Sequence, residues 1–336
     1  MDAGFYVAVL LALAFALTNG FHDASNSIAT LITTRAASPA RALVLASVFN
    51  MLGPLLLGAA VANTIAGIAA VPADEMVAVV GAALLAAVSW NLLTWWRGLP
   101  SSSGHALVGG LVGAALAEGG VRAVNWGGFD GWRPVGVIGT VVALAVSPVI
   151  GGVVAFAVIR LFQRAARRAT HRFRGPTNAG QWVGSAALAL SHGANDAQKT
   201  IGVVAALLFA TGRTDTLSSP TSVKLACAAA LTLGTALGGW RIVKTIGRKI
   251  YRIRPLDGLA SQTTSSAVIL GASFLGAPIS TTHVVASSIV GIGTGRHRWQ
   301  HVRWRIVKEM GIAWLTTMPA TAVLAAVSYA VWQWIA

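Results

Sequence analysis

Ten apolar runs divide the chain, at approximately 3–34, 42–66, 76–96, 100–117 and 135–159, then 181–211, 222–240, 258–277, 280–294 and 309–335. In a bilayer every backbone polar group must be bonded internally, so such runs predict helices. A straight span takes about 20 residues, which makes 3–34 and 181–211 too long for one simple crossing. Each carries a polar phrase at or just before its middle, and a helix interrupted there is the expected solution.

The two polar phrases are versions of one another. Asn19-Gly20-Phe21-His22-Asp23-Ala24-Ser25-Asn26-Ser27-Ile28 is echoed by His192-Gly193-Ala194-Asn195-Asp196-Ala197-Gln198-Lys199-Thr200-Ile201, with Gly, Asp, Ala and Ile in register at an offset of 173. A second pair, Pro100-Ser101-Ser102-Ser103-Gly104-His105 and Pro278-Ile279-Ser280-Thr281-Thr282-His283, repeats at an offset of 178 and stays in register to Gly113 and Gly291. The chain is thus expected to be a duplicated all-α polytopic membrane protein. Residues 1–159 form a first repeat, 160–180 a basic cytoplasmic linker and 181–336 a second repeat.

Composition agrees with this class. Hydrophobic residues make up 55% of the 336 and charged residues 10%, against about a quarter charged in a soluble domain; the mean hydropathy is +0.69. The net charge is +15, and 17 of the 25 lysines and arginines fall in Arg160–Arg174, Arg241–Arg254 and Arg296–Lys308, all between apolar runs. That is the placement of cytoplasmic loops, suited to anionic lipid rather than nucleic acid. With those loops inside, Val71-Pro72-Ala73-Asp74-Glu75 and the 118–134 segment lie outside, as do both termini. Five crossings per half, an odd number, force the second half to enter in the opposite sense, an inverted-topology repeat with broken helices and half-helix hairpins. A single Cys227 cannot form an internal disulfide. Met1–Thr18 lacks a basic n-region and reads as part of the first span. Trp90, Trp95 and Trp96 read as a membrane-interface cluster.

The chemistry lies in the repeated motifs. A charge at the bilayer centre costs roughly 3 kcal/mol on insertion scales, so Asp23 and Asp196 need a function. In the hydroxyl motifs, Pro suits a first helical turn and Ser or Thr an N-cap. A half-helix beginning there directs its N–H groups and positive dipole end at one spot, an anion site. An oxyanion added to two carboxylates, with only Lys199 in return, leaves the site strongly negative in a low dielectric. Cations must therefore enter with the anion. Asp and Asn oxygens suit Na⁺, and Asp or His can carry a proton. Under sodium coupling, Asp23, Asn26 and Asp196 would be the ligands.

The copies differ at two positions that bear on this. Lys199 aligns with Asn26, and is either a tethered ammonium in the place of a bound cation or a structural partner of Asp196. His22 aligns with Asn195, and is either a proton carrier or a packing residue. His105 and His283 read as hydrogen-bonded within their half-helices. Gln262 either lines the pathway or joins helices. HExxH, P-loop and GxSxG signatures are absent from the sequence, so an enzyme is not expected, no cofactor is called for, and an ion gradient must supply the energy.

At these residues the chain resembles the inorganic phosphate transporter (PiT) family, in its bacterial low-affinity permease branch. The resemblance rests on Gly20-Phe21-His22-Asp23 with Asn26, on Ser191 to Lys199, on Trp90 to His105 and on Pro278 to His283, and so covers both halves. It implies phosphate import by cation symport. Carried over, it implies a substrate site of Asp23, Asn26, Asn195 and Asp196 facing Ser102, Ser103, Ser280, Thr281 and Thr282, with Lys199 and Thr200 beside them. Sodium-coupled members carry Asn where this chain has His22 and Lys199. Protons are therefore the expected co-ion, held at Asp23, Asp196 and His22, with sodium as the alternative. Carriage of phosphate as a neutral metal complex and a sulfate permease on the same scaffold remain open at this point. An uncoupled channel or scaffold would not need acids in both halves. A homodimer is the expected assembly.

Overall fold

The computed structural model describes residues 2–130, 133–166, 174–217 and 219–335. Part of the predicted basic linker, 167–173, lies outside them. The first half contains α1 (Asp2–Thr33), α2 (Pro39–Leu56), α3 (Ala60–Ala66), α4 (Met76–Arg97), α5 (Ser103–Gly119) and α6 (Gly136–Ala165). The second contains α7 (Arg174–Ala210), α8 (Thr221–Leu237), α9 (Trp240–Lys244) with a π-turn over Thr245–Lys249, α10 (Pro255–Phe274), α11 (Thr281–Gly295) and α12 (Trp304–Ile335). A small antiparallel hairpin, β1 (Gly128–Asp130) and β2 (Arg133–Val135), lies in the segment expected outside.

Among the described residues, six helices are long and apolar enough to cross a membrane alone: α1, α2, α4, α5 (counted with the 3₁₀ turn that follows it), α6 and α12. The pair α8 and α9, bent by 58°, makes a seventh. α7 and α10 fall below that hydropathy because they carry the polar groups of the interior, and α11 spans only 15 residues.

The expected interruptions of 3–34 and 181–211 do not occur. α1 and α7 run unbroken through their polar phrases. At 1.5 Å per residue the 32 residues of α1 extend about 48 Å, longer than the hydrocarbon core, an excess that tilt or protrusion can absorb without a break. The break falls instead at Gly238 and Gly239, between α8 and α9, and α2 stops at Leu57 shortly after an internal Pro54.

Two apolar cores sandwich a polar layer. One takes Ala8, Ala12 and Phe15 from α1 and Ile201, Val204 and Leu207 from α7. The other takes Ile28 and Leu31 from α1 and Leu188 and Ala189 from α7. Along α1 the first core comes before the polar phrase; along α7 it comes after. The two helices therefore traverse the layer in opposite directions, as an inverted repeat requires.

Packing obeys the same two-fold rule. α1 packs on α8 as α7 packs on α2, and α5 packs on α12 as α11 packs on α6. The crossings are closed by matched glycines. A Cβ on Gly20 would run into the Leu231 carbonyl oxygen, and one on Gly234 into that of Leu17; a Cβ on Gly193 would run into the Asn50 carbonyl, and one on Gly53 into that of Leu190. Small residues at such contacts are what allow helices in a membrane to approach closely.

Candidate functional site

The polar layer is built where α1 and α7 meet two helix tips. α4 and α10 end at Gly98 and Gly276, equivalent positions with φ of +65° and +70° that glycine adopts freely. After each turn comes the Pro-Ser or Pro-Ile-Ser segment, and then α5 or α11 begins. Ser102 and Ser280 are the N-caps, their hydroxyls accepting from the His105 and His283 amides, each at 3.2 Å. Both half-helices thus start inside the protein, with their N-termini toward the carboxylates.

Asp23, Asp196 and Lys199 are at most 3% exposed. Asp23 Oδ1 lies 2.9 Å from His22 Nδ1 and accepts from Thr282 Oγ1 at 2.9 Å. Asn26 Nδ2 donates to Thr282 Oγ1 at 3.0 Å and to Thr281 Oγ1 at 3.3 Å. Thr281 donates in turn to Asp196 Oδ2 at 3.0 Å. Lys199 Nζ binds Asp196 Oδ1 and donates to the Ile279 carbonyl at 2.8 Å. A single network therefore joins Asp23, Asn26, Asp196, Lys199, Thr281 and Thr282, across both repeats.

His192, for which no role was expected, also lies between the two carboxylates. Its Nε2 lies 2.8 Å from Asp196 Oδ2, close enough for an ion pair but not aligned as a hydrogen bond, and 3.9 Å from Asp23 Oδ2. Asn50 fixes its tautomer. Asn50 Nδ2 donates to Thr235 Oγ1 at 2.9 Å, which leaves Asn50 Oδ1, an acceptor only, 3.1 Å from His192 Nδ1. His192 Nδ1 must be protonated, and Nε2 is left to take or release a proton between the carboxylates. The sequence signal for this was the i, i+4 spacing of His192 and Asp196.

Other predicted residues take different places. His22 is an integral part of the network: its Nε2 lies 3.1 Å from Thr94 Oγ1 and 3.3 Å from Ser101 Oγ. Asn195 turns to α10, donating to Ser273 Oγ at 3.0 Å and to the Ala277 carbonyl at 3.4 Å. Ser103 and Thr200 are buried, and their hydroxyls have no partner among the described residues. His105 and His283 do not bond within their helices. Their rings lie 4.6 Å apart between centroids, tilted by 35°, and Trp314 stacks on His283 at 3.9 Å. Gln262 joins helices, its Nε2 donating to Thr30 Oγ1 at 2.9 Å. Of the three tryptophans expected at the interface, only Trp96 is exposed; Trp90 bonds Thr317, and Trp95 packs edge-on against Phe21.

Chemically, the layer combines paired acceptors, buried hydroxyl donors, two half-helix N-termini and imidazoles beside carboxylates. It can bind an anion and a cation together. It could also hold a metal ion, since ligand atoms of Asp23, His192 and Asp196 all lie within 4.8 Å of one another.

Comparison with known proteins places this arrangement. A family model described as "Phosphate transporter family" matches the chain twice, over residues 19–179 and 165–325. A "Probable low-affinity inorganic phosphate transporter" of Bacillus subtilis (strain 168) is 41% identical, over 96% of this chain and 95% of its own length. A protein of the same description from Rhizobium meliloti (strain 1021) is 40% identical over 96% and 94%. Among solved structures, "The sodium-dependent phosphate transporter" superposes with a TM-score of 0.87 at 26% identity, covering 99% of this chain and all of that one.

Proposed function

The chain belongs to the phosphate transporter family, and from that premise we propose that it imports inorganic phosphate by symport with protons. It is a multi-pass protein of the cell membrane and a transporter of inorganic phosphate, not an enzyme. The finer reading rests on one observation: His192 Nε2 faces both buried carboxylates while His22 bonds Asp23. A proton held around Asp23 and its two histidines, and shared with Asp196 through His192, offsets the charge that phosphate brings into a low-dielectric site.

Phosphate is assigned to the tips of α5 and α11. Ser102, Ser103, Ser280, Thr281 and Thr282 supply hydroxyls, Thr200 a further one, and Asp23, Asn26 and Asp196 the facing groups, with Asn195 contributing through its unpartnered Oδ1 while its amide nitrogen stays on α10. The unpartnered hydroxyls of Ser103 and Thr200 support this, because a buried donor without a partner is costly. The two repeats, 1–159 and 181–336, would supply one tip each, with 160–180 as the linker. The two family matches overlap within that linker, which agrees with the division. Contact of the basic loops with anionic lipid and assembly of two copies belong to the same proposal.

Labelled phosphate uptake into proteoliposomes tests it. An inward proton gradient should drive accumulation, with sulfate a poor competitor. Uptake unaffected by collapsing both proton and sodium gradients would overturn symport. Sodium as co-ion is the second reading, because Asn26 Oδ1 has no protein partner and lies on the same turn as Asp23. A sodium gradient at fixed pH would then drive uptake, and a proton gradient would not.

A further inference from the structure

The two halves depart from their symmetry twice at one point. Asn26 corresponds to Lys199, and Thr282 corresponds to Gly104. In the first position Asn26 donates to the Thr282 hydroxyl, which in turn donates to Asp23. In the second, no hydroxyl is present at residue 104, and the end of Lys199 occupies that space. A Cβ on Gly104 would stand 3.0 Å from Lys199 Nζ, 3.4 Å from Cε and 3.6 Å from Cδ, with Lys199 supplying all three nearest contacts. Loss of the hydroxyl and gain of the ammonium are thus one paired change.

What surrounds Nζ is the environment of a small monovalent cation: a carboxylate oxygen of Asp196 and the Ile279 carbonyl, deep in the protein. Hard cations take such oxygen ligands. We propose that the Lys199 ammonium is a fixed cation standing in the coupling-ion position of the second repeat, so that the cations travelling with phosphate are held around Asp23 alone. A tethered charge neutralises Asp196 in every state of the cycle and never leaves the membrane. Lys199 therefore lowers by one the number of cations moved per phosphate. This inference rests on the symport reading above.

The test restores the symmetry. Lys199→Asn with Gly104→Thr places on the second half the residues of the first, in space that Lys199 vacates. The co-ion to phosphate ratio is read in proteoliposomes from the gradient at which labelled phosphate flux reverses, with protons and Na⁺ varied separately. The expected result is a ratio one higher than wild type, with the added cation supplied by Na⁺. Purified double variant should also melt higher with Na⁺ than with choline at equal ionic strength, and wild type should lack that component. An unchanged ratio in a transporting variant, or no Na⁺-dependent stabilisation in a folded but inactive one, overturns the proposal. If the double variant is not recovered folded, Lys199→Ala with ammonium ion carries the test: restored uptake supports a cation position, and no restoration overturns it. Wild-type uptake that ignores every cation gradient would instead remove the symport reading itself, so the two failures are distinguishable.

Discussion

Asp196 is engaged on both oxygens, by Lys199 on Oδ1 and by Thr281 and His192 on Oδ2. Breaking a buried ion pair by removing one partner costs about 3–5 kcal/mol, because the other charge is left unpaired. Asp196→Asn is expected to lose stability of that order, and Lys199→Met added to it should recover most of the loss. Thermal melts in detergent read this; equal melting of the single and double variants would contradict it. His192→Gln keeps a donor for Asn50 but holds no proton between the carboxylates. It should fold and lose phosphate uptake by about a hundredfold, the equivalent of about 3 kcal/mol at 1.4 kcal/mol per tenfold. Near-normal proton-driven uptake in that variant would return the proton to Asp23 and His22 alone. The carboxylates, Lys199 and His22 could be read from the sequence, because each is either a charge in an apolar run or a mismatch between copies. His192 is mismatched with Asn19 as well, but neither residue carries a fixed charge that demands a function. Its counterpart Asn19 is buried without a partner on either side-chain atom, so comparing the copies points away from the position. Only the fold brings Asn50 to its other nitrogen.

The helices that carry these residues depend on close contact more than on capping. Gly193 faces the Asn50 carbonyl with no room for a Cβ, so Gly193→Val must part α7 from α2 at the level of the site. Overpacking of this kind costs about 1–3 kcal/mol where a side chain can yield. Here the obstacle is backbone, and Gly193→Val is expected to abolish recovery of monodisperse protein. In stability terms Ser280→Ala removes a cap, worth about 1 kcal/mol, and should melt slightly lower while staying folded. The Pro-Ser tips were legible because helix-start chemistry is local. The continuity of α1 and α7 was not, since length alone suggested a break. A helix can instead outrun the hydrocarbon, and the tip helices bring their polar groups to it. The break between α8 and α9 is marked by Gly238-Gly239, a local signal that lies outside the polar phrases.

At the scale of the molecule, the duplicated motifs led to the expectation of two inverted halves. The order of the two apolar cores along α1 and α7 bears this out. The basic loops predict the orientation in the cell membrane, which can be checked directly. Cys227 is buried, so a Cys227→Ser background should be silent to an impermeant maleimide. A cysteine at Asp74 should then react on intact cells, and one at Arg252 only after permeabilisation. The reverse pattern would overturn the assigned sidedness. What the sequence could not supply was which helices cross, because α1 with α8 and α7 with α2 are contacts between halves that no local pattern encodes.

The unequal pair, Lys199 over Gly104 against Asn26 under Thr282, has one more consequence. In a molecule whose halves were identical and inverted, the outward-open and inward-open forms would be related by rotation about the two-fold axis and equal in energy. Neither would be preferred at rest, and the empty carrier would divide its time evenly between the two faces of the membrane. A fixed charge in one half removes that degeneracy. The same substitution that sets how many ions travel also tilts the resting carrier toward one side, making direction a property of the chain as well as of the gradient.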